Sequence, residues 1–188
     1  IHGRAVDYYL GRIANVRDPE KKRVFELALV RNLTECERHT EAVQVLDRVA
    51  DECMIGFDYE LAEVYLAQAV SILTAAAASS EEIAQRNLRR VRVQGALGNL
   101  RVARDLCLSM GRLSDLSESL ALEVKIEQGF LWLKEEDPDR IIDSTRRALA
   151  GIRALHESQR TPFTIALLVR GLQLMAEIYA RQSRDSQA

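Results

Sequence analysis

The side chains best equipped for chemistry in this 188-residue chain are an arginine cluster, three histidines, three cysteines and one acidic run. The arginines lie from Ile83 to Arg104, where Arg86, Arg89, Arg90, Arg92, Arg101 and Arg104 occur with no acid among them. Three-and-four spacing puts Arg86, Arg89 and Arg90 on one helix face. Guanidinium groups so placed form charge-assisted, often bidentate bonds, which suits an acidic peptide, a phosphate or an acidic neighbouring domain. A charge run also serves as a solvated face, balanced here by Glu81, Glu82, Asp105 or acids of adjacent helices. Nucleic acid fits less well, because no aromatic is interleaved with the arginines and the formal charge is −2.

The other reactive groups do not assemble. His2, His39 and His156 have no second His, Cys or paired carboxylate at ligand spacing, so no metal is expected. Gly95-Ala96-Leu97-Gly98 lacks the Lys and the preceding strand of a phosphate loop. Glu135-Glu136-Asp137 lacks the alternating oxygen ligands of a calcium loop, and Asp137 suits a helix cap. Cys36, Cys53 and Cys107 are odd in number, far apart and without an evident base. They suit buried small-hydrophobe roles in a reducing compartment, cytoplasmic or nuclear. No catalytic constellation or cofactor motif is present, so a non-enzymatic role is expected.

The elements that position these residues are helices. Apolar residues recur at three and four almost throughout, as in Phe25, Leu29 and Leu33, or Val43, Leu46, Val49 and Cys53. In the last segment the same spacing selects Ile165, Leu168, Leu172, Met175 and Tyr179 as the core stripe. Asp18-Pro19, Asp137-Pro138 and Thr161-Pro162 read as helix starts. Ser79 with Glu82, and Asp115 with Glu118, have capping-box spacing. The pattern predicts nine helices over 3–16, 20–37, 40–54, 58–77, 81–96, 99–110, 115–134, 138–157 and 162–182. Short connections make neighbours antiparallel. The fold class is all-α, a helix-hairpin solenoid forming one domain over 1–182, with a frayed polar tail over 183–188. No continuous apolar run reaches bilayer length, so no membrane segment is expected. The chain starts Ile-His-Gly-Arg without Met and reads as a fragment of a longer protein.

Helix openings recur. Ala5, Ala42, Ala103 and Ile141 occupy matching positions, 37, 61 and 38 residues apart. Leu29, Val30 and Leu33 followed by Ala42, Leu46 and Val49 match a hairpin pattern in spacing. So do Gln128, Gly129 and Trp132 followed by Ile141, Thr145 and Ala148. On these residues the chain resembles the tetratricopeptide repeat family, whose helix hairpins recur at about 34 residues. Val30 and Ile141 depart from the small residues of that pattern, and the 61-residue interval suggests a pair plus an extra helix.

The resemblance implies a concave groove lined by the first helix of each pair. Leu27, Arg31 and Glu35 would line it in one repeat, and Ile126, Phe130 and Lys134 in another. Leu27 and Ile126 stand where a carboxylate-clamping Lys would be, so no chaperone-tail clamp is implied. The function implied is a scaffold module binding an acidic or amphipathic peptide or helix of another protein, through Arg31, Arg86, Arg89, Arg90, Arg92 and Phe130. Helices at either end that lack a pair partner would expose apolar stripes, covered by a homodimer contact or by the rest of the parent chain. The other reading is an effector-sensing domain of a multidomain signalling ATPase or transcription regulator.

Overall fold

The computed structural model describes residues 2–134, 138–159 and 161–185, and of residues 134, 138–140, 184 and 185 the backbone alone. The described residues form nine α-helices and no strand. They are α1 His2–Asn15, α2 Pro19–Glu35, α3 His39–Ile55, α4 Tyr59–Ala75, α5 Ser80–Ala96, α6 Leu100–Met110, α7 Glu118–Lys134, α8 Pro138–Ser158 and α9 Pro162–Asp185. The chain divides into two compact units, Ile1–Leu97 and Gly98–Ala188. Consecutive helices pack on one another within each unit, and α9 also packs on α7.

Local chemistry sets the helix ends. The Asp18 carboxylate accepts from the Glu20 and Lys21 amides, with Pro19 at the first helical position. Ser79 and Glu82 form the reciprocal capping box, and Thr161 Oγ1 accepts from the Thr164 amide. The Asp115 cap does not form, because α7 starts three residues later, after Ser117. Asp137 and the acidic run it closes lie outside the described residues, as does the tail from 186 to 188; α9 itself runs through 183–185.

Three helices end in the same way. Glu37, Phe57 and Ala77 adopt positive φ of 59°, 60° and 51°. The following amides, of Arg38, Asp58 and Ala78, reach back to the carbonyls of Leu33, Cys53 and Leu73. These are Schellman closures, which satisfy the last carbonyls of each helix. The turns space the starts of α2 to α6 evenly, at 20 or 21 residues. The 61-residue interval from Ala42 to Ala103 therefore contains three helix periods, an odd number. Ala62 fills the equivalent position in α4 and Ala84 stands one residue beyond it in α5, and all four alanines are fully buried.

The core of the first unit is built from α1 to α5 around Leu29, Leu46 and Leu66. That of the second centres on Ile126, Ile141, Ile152 and Leu174. In the second unit a Cβ on Gly129 would lie 2.5 Å from the Leu174 side chain, and one on Gly171 2.7 Å from that of Leu149. Glycine is therefore what lets α7, α8 and α9 approach this closely.

Helix α9 departs from its expected phase. Thr164, Leu167, Leu174, Met175 and Ile178 are buried, whereas Ile165, Val169, Leu172 and Tyr179 are about half exposed. The helix is apolar on both sides, so periodicity alone did not select the inner face. Polar anchors did: Arg170 makes two bonds to Glu127 of α7, at 2.6 and 2.8 Å, and Arg181 donates to the Leu133 carbonyl at 2.6 Å. Within Pro162–Ser183 an 18-residue stretch of α9 has a mean hydropathy of 1.4, so by length and composition the helix could cross a membrane, although no continuous apolar run exists.

Candidate partner-binding site

The arginines of α5 point at carboxylates of their own unit. Arg86 donates through Nε and Nη2 to Asp47 Oδ2 at 3.2 and 2.9 Å. Arg89 donates to Asp47 Oδ1 and to Asp51 Oδ1, both at 2.6 Å. Arg90 donates twice to Glu63 Oε1, at 2.9 and 2.7 Å. Their side chains are only 19%, 22% and 19% exposed, so water screens these pairs weakly. Asp47 and Asp51 lie on α3 and Glu63 on α4. The balancing acids thus come from the two preceding helices, a pairing that sequence separation concealed. Arg92 is exposed on the same helix and is also engaged.

The six candidate residues do not converge. Arg31 is exposed on α2, between half-buried Leu27 and exposed Glu35. Phe130 is half-buried on α7, packed on the core, with the Arg170 guanidinium 4.8 Å from its ring centroid. Ile126, expected to line a groove beside Phe130, is fully buried in the core. Its partner in that expectation, the Lys134 side chain, lies outside the described residues. Trp132 is a partly buried core aromatic.

A concave feature lies elsewhere in the first unit. Helices α1 and α3 each pack on α2, and between them opens a cleft of about 220 Å³. Leu29 and Leu33 of α2 form its floor, with Val6 and Leu10 of α1 on one wall. Glu41, Gln44, Val45 and Arg48 of α3 form the other. Leu10 is 51% exposed although its neighbour Val6 is buried. Arg48 is held at the rim by Glu26, at 2.6 Å. Glu26 is almost fully buried and also has Lys22 at 3.5 Å. The hydrogen bond to Glu52 raises the Lys22 pKa and keeps that cation charged.

This cleft is missing from the sequence candidates because its walls come from α1 and α3, with the whole of α2 between them in the chain. The available signal was Leu10, a large apolar residue off the α1 stripe of Ala5, Tyr9 and Ile13.

Of the three thiols, those of Cys53 and Cys107 are buried. Among the described residues no cluster of three His, Cys, Asp or Glu could hold an ion. His2 pairs with Asn32 Oδ1 at 3.2 Å and His156 with Thr164 Oγ1 at 3.0 Å. Burial raises the Cys53 thiol and pushes that of Cys107 up to about 12, away from the thiolate needed for reaction. Set against known family profiles, curated proteins and solved structures, the chain matches none.

Proposed function

We propose that the chain is a protein–protein interaction module of tetratricopeptide-like type, which takes a peptide or helix of a partner as part of a larger scaffold or regulatory assembly. The observation that carries this reading is the cleft over α2. It combines an apolar floor of Leu29 and Leu33 with a rim of Gln44, Glu41 and Arg48. An apolar floor with a few rim polar groups suits an anchoring side chain of a partner helix or extended peptide. Its volume of about 220 Å³ is below the roughly 300–1,000 Å³ usual for small-molecule sites. That size favours a protein side chain over the effector expected of a signalling sensor domain.

The test is affinity capture from native lysate with the whole chain and with Leu10→Glu. Leu10 is half exposed, so the substitution spares the core. A partner held by the wild type and lost by the folded variant supports the reading. A partner held equally by both contradicts it.

A further inference from the structure

The first unit repeats a small set of contacts in register, and one copy of that set is incomplete. Ala5, Val6 and Tyr9 of α1 correspond to Ala42, Val43 and Leu46 of α3, 37 residues on. Ala42, Leu46 and Val49 correspond in turn to Ala84, Leu88 and Val91 of α5, 42 residues on, and all six are buried. The second correspondence extends to ion pairs. Arg48 donates to Glu26 of α2, and Arg90, 42 residues later, donates to Glu63 of α4.

This register explains why the cleft over α2 is open. Helices α3 and α5 each pack on α4, and the gap between them is crossed by Arg86 and Arg89 reaching Asp47 and Asp51. In the gap between α1 and α3, Leu10 and Ala14 stand where Asp47 and Asp51 would be. Gln44 and Asp47 stand where Arg86 and Arg89 would be. These side chains form no ion pair across the gap, and the cleft of about 220 Å³ opens between Leu10 and Gln44.

The chemistry of the walls selects the occupant. Both charged rim residues are already committed, Arg48 to Glu26 and Glu41 to Arg38, each at 2.6 Å. A charged occupant would find no free counter-ion and would lose water over Leu29 and Leu33. Gln44 is exposed and makes no hydrogen bond among the described residues, so its carboxamide offers donors and an acceptor at the wall. A helix has already bonded its backbone amides and carbonyls internally, whereas an extended segment presents both.

We propose that the cleft over α2 takes an uncharged apolar side chain from an extended segment of another protein, with a peptide group of that segment bonded to Gln44. This rests on the reading of the chain as an interaction module and decides which kind of segment the module takes.

The probe is the synthetic peptide Ser-Pro-Ser-Leu-Ser-Pro-Ser, which its prolines hold extended. Its counterparts carry Glu or Lys in place of Leu, or N-methyl groups on the peptide bonds flanking Leu. Binding is followed by NMR shifts of the Leu29 and Leu33 methyl groups in the whole chain. The Leu peptide binds at least about tenfold more tightly than either charged form, and more tightly than the N-methyl form. Gln44→Ala removes the difference between the plain and N-methyl forms. Leu10→Asp with Gln44→Arg, which rebuilds the α3–α5 clamp in register, abolishes binding without lowering the melting temperature. Equal binding of charged and apolar forms, binding of none, or an N-methyl difference unchanged in Gln44→Ala overturns the proposal. So does a folded double variant that still binds, or a concentration-dependent dimer abolished by Leu10→Glu. If the peptides fail while Leu10→Glu still releases a captured partner, the module reading survives and the extended-segment assignment falls. If Leu10→Glu releases nothing, the module reading falls as well.

Discussion

Asp47 on α3 receives a 2.6 Å hydrogen bond from Arg89 on α5, across 42 residues of sequence. The same carboxylate holds Arg86 at 2.9 Å. One acid therefore bridges two cations that are about four-fifths shielded from water, and Asp51 supplies the second negative charge. Helix α4 packs on both α3 and α5, so this clamp ties together the two helices on either side of it.

Asp47→Ala leaves the partly buried Arg86 guanidinium without its carboxylate and Arg89 with Asp51 alone. The cost is about 1–3 kcal/mol, most of it at Arg86, which is largely shielded from solvent and loses its charged acceptor. Urea denaturation checks this through the midpoint at unchanged slope. A shift equivalent to less than about 0.5 kcal/mol, the range of ordinary surface substitutions, would show that the clamp contributes nothing.

Much of the scaffold was legible because its signals are local. Asp18-Pro19 and Ser79 with Glu82 start helices as their spacing predicts, and the nine segments fall close to the expected bounds. What was illegible depends on contacts across helices. The acids that pair with the α5 arginines sit on α3 and α4, and nothing in local spacing selects them over Glu81 or Asp105. The inner face of α9 was ambiguous because Ile165–Leu172 and Leu167–Leu174 are equally apolar stripes; Arg170 chose between them by bonding Glu127. Ile126 was placed in a groove by its offset from Phe130, but α7 is packed by α6, α8 and α9, which leaves it little exposed face.

Glu26 and Arg48 should respond asymmetrically. Arg48→Ala leaves an almost fully buried carboxylate with only the 3.5 Å contact to Lys22 and costs about 1–3 kcal/mol. Glu26→Leu releases two cations that already reach water, and it stays within about 1 kcal/mol of wild type or exceeds it. Thermal unfolding of both variants measures the difference. Equal losses would contradict the assignment of the buried charge as the costly member.

Glycines separate into packed and open positions. Gly129→Ala drives a methyl to 2.5 Å from Leu174, which is fully buried, and destabilises by about 1–3 kcal/mol. Gly11→Ala meets nothing within 4 Å on a helix and stabilises by about 0.5–1 kcal/mol. Circular-dichroism melts of the two variants should move in opposite directions.

Alkaline pH should weaken the fold through Cys107. Its thiol rises from an ordinary 9.0 to about 12, first through burial and then through the Glu127 carboxylate. From pH 9 to 12 the unfolded chain sheds this proton while the folded chain keeps it. The unfolded state then binds fewer protons, so stability falls as pH rises. Burial of Cys53 adds in the same direction. Urea midpoints measured from pH 8 to pH 10.5 should fall less steeply in Cys107→Ala than in the wild type, and identical slopes would remove the thiol from the account.

The most direct measurement compares two variants in one experiment, reading melting temperature and capture of a partner from native lysate. Arg86→Glu with Arg89→Glu should lower the melting temperature and leave capture by the folded protein unchanged, because those donors are spent on Asp47 and Asp51. Leu10→Glu should leave the melting temperature in place and release the partner, because Leu10 is half exposed on the wall of the cleft over α2. The reverse pattern, with capture lost through α5 and stability lost through Leu10, would contradict the assignment of the α5 arginines to structure and of the cleft to docking.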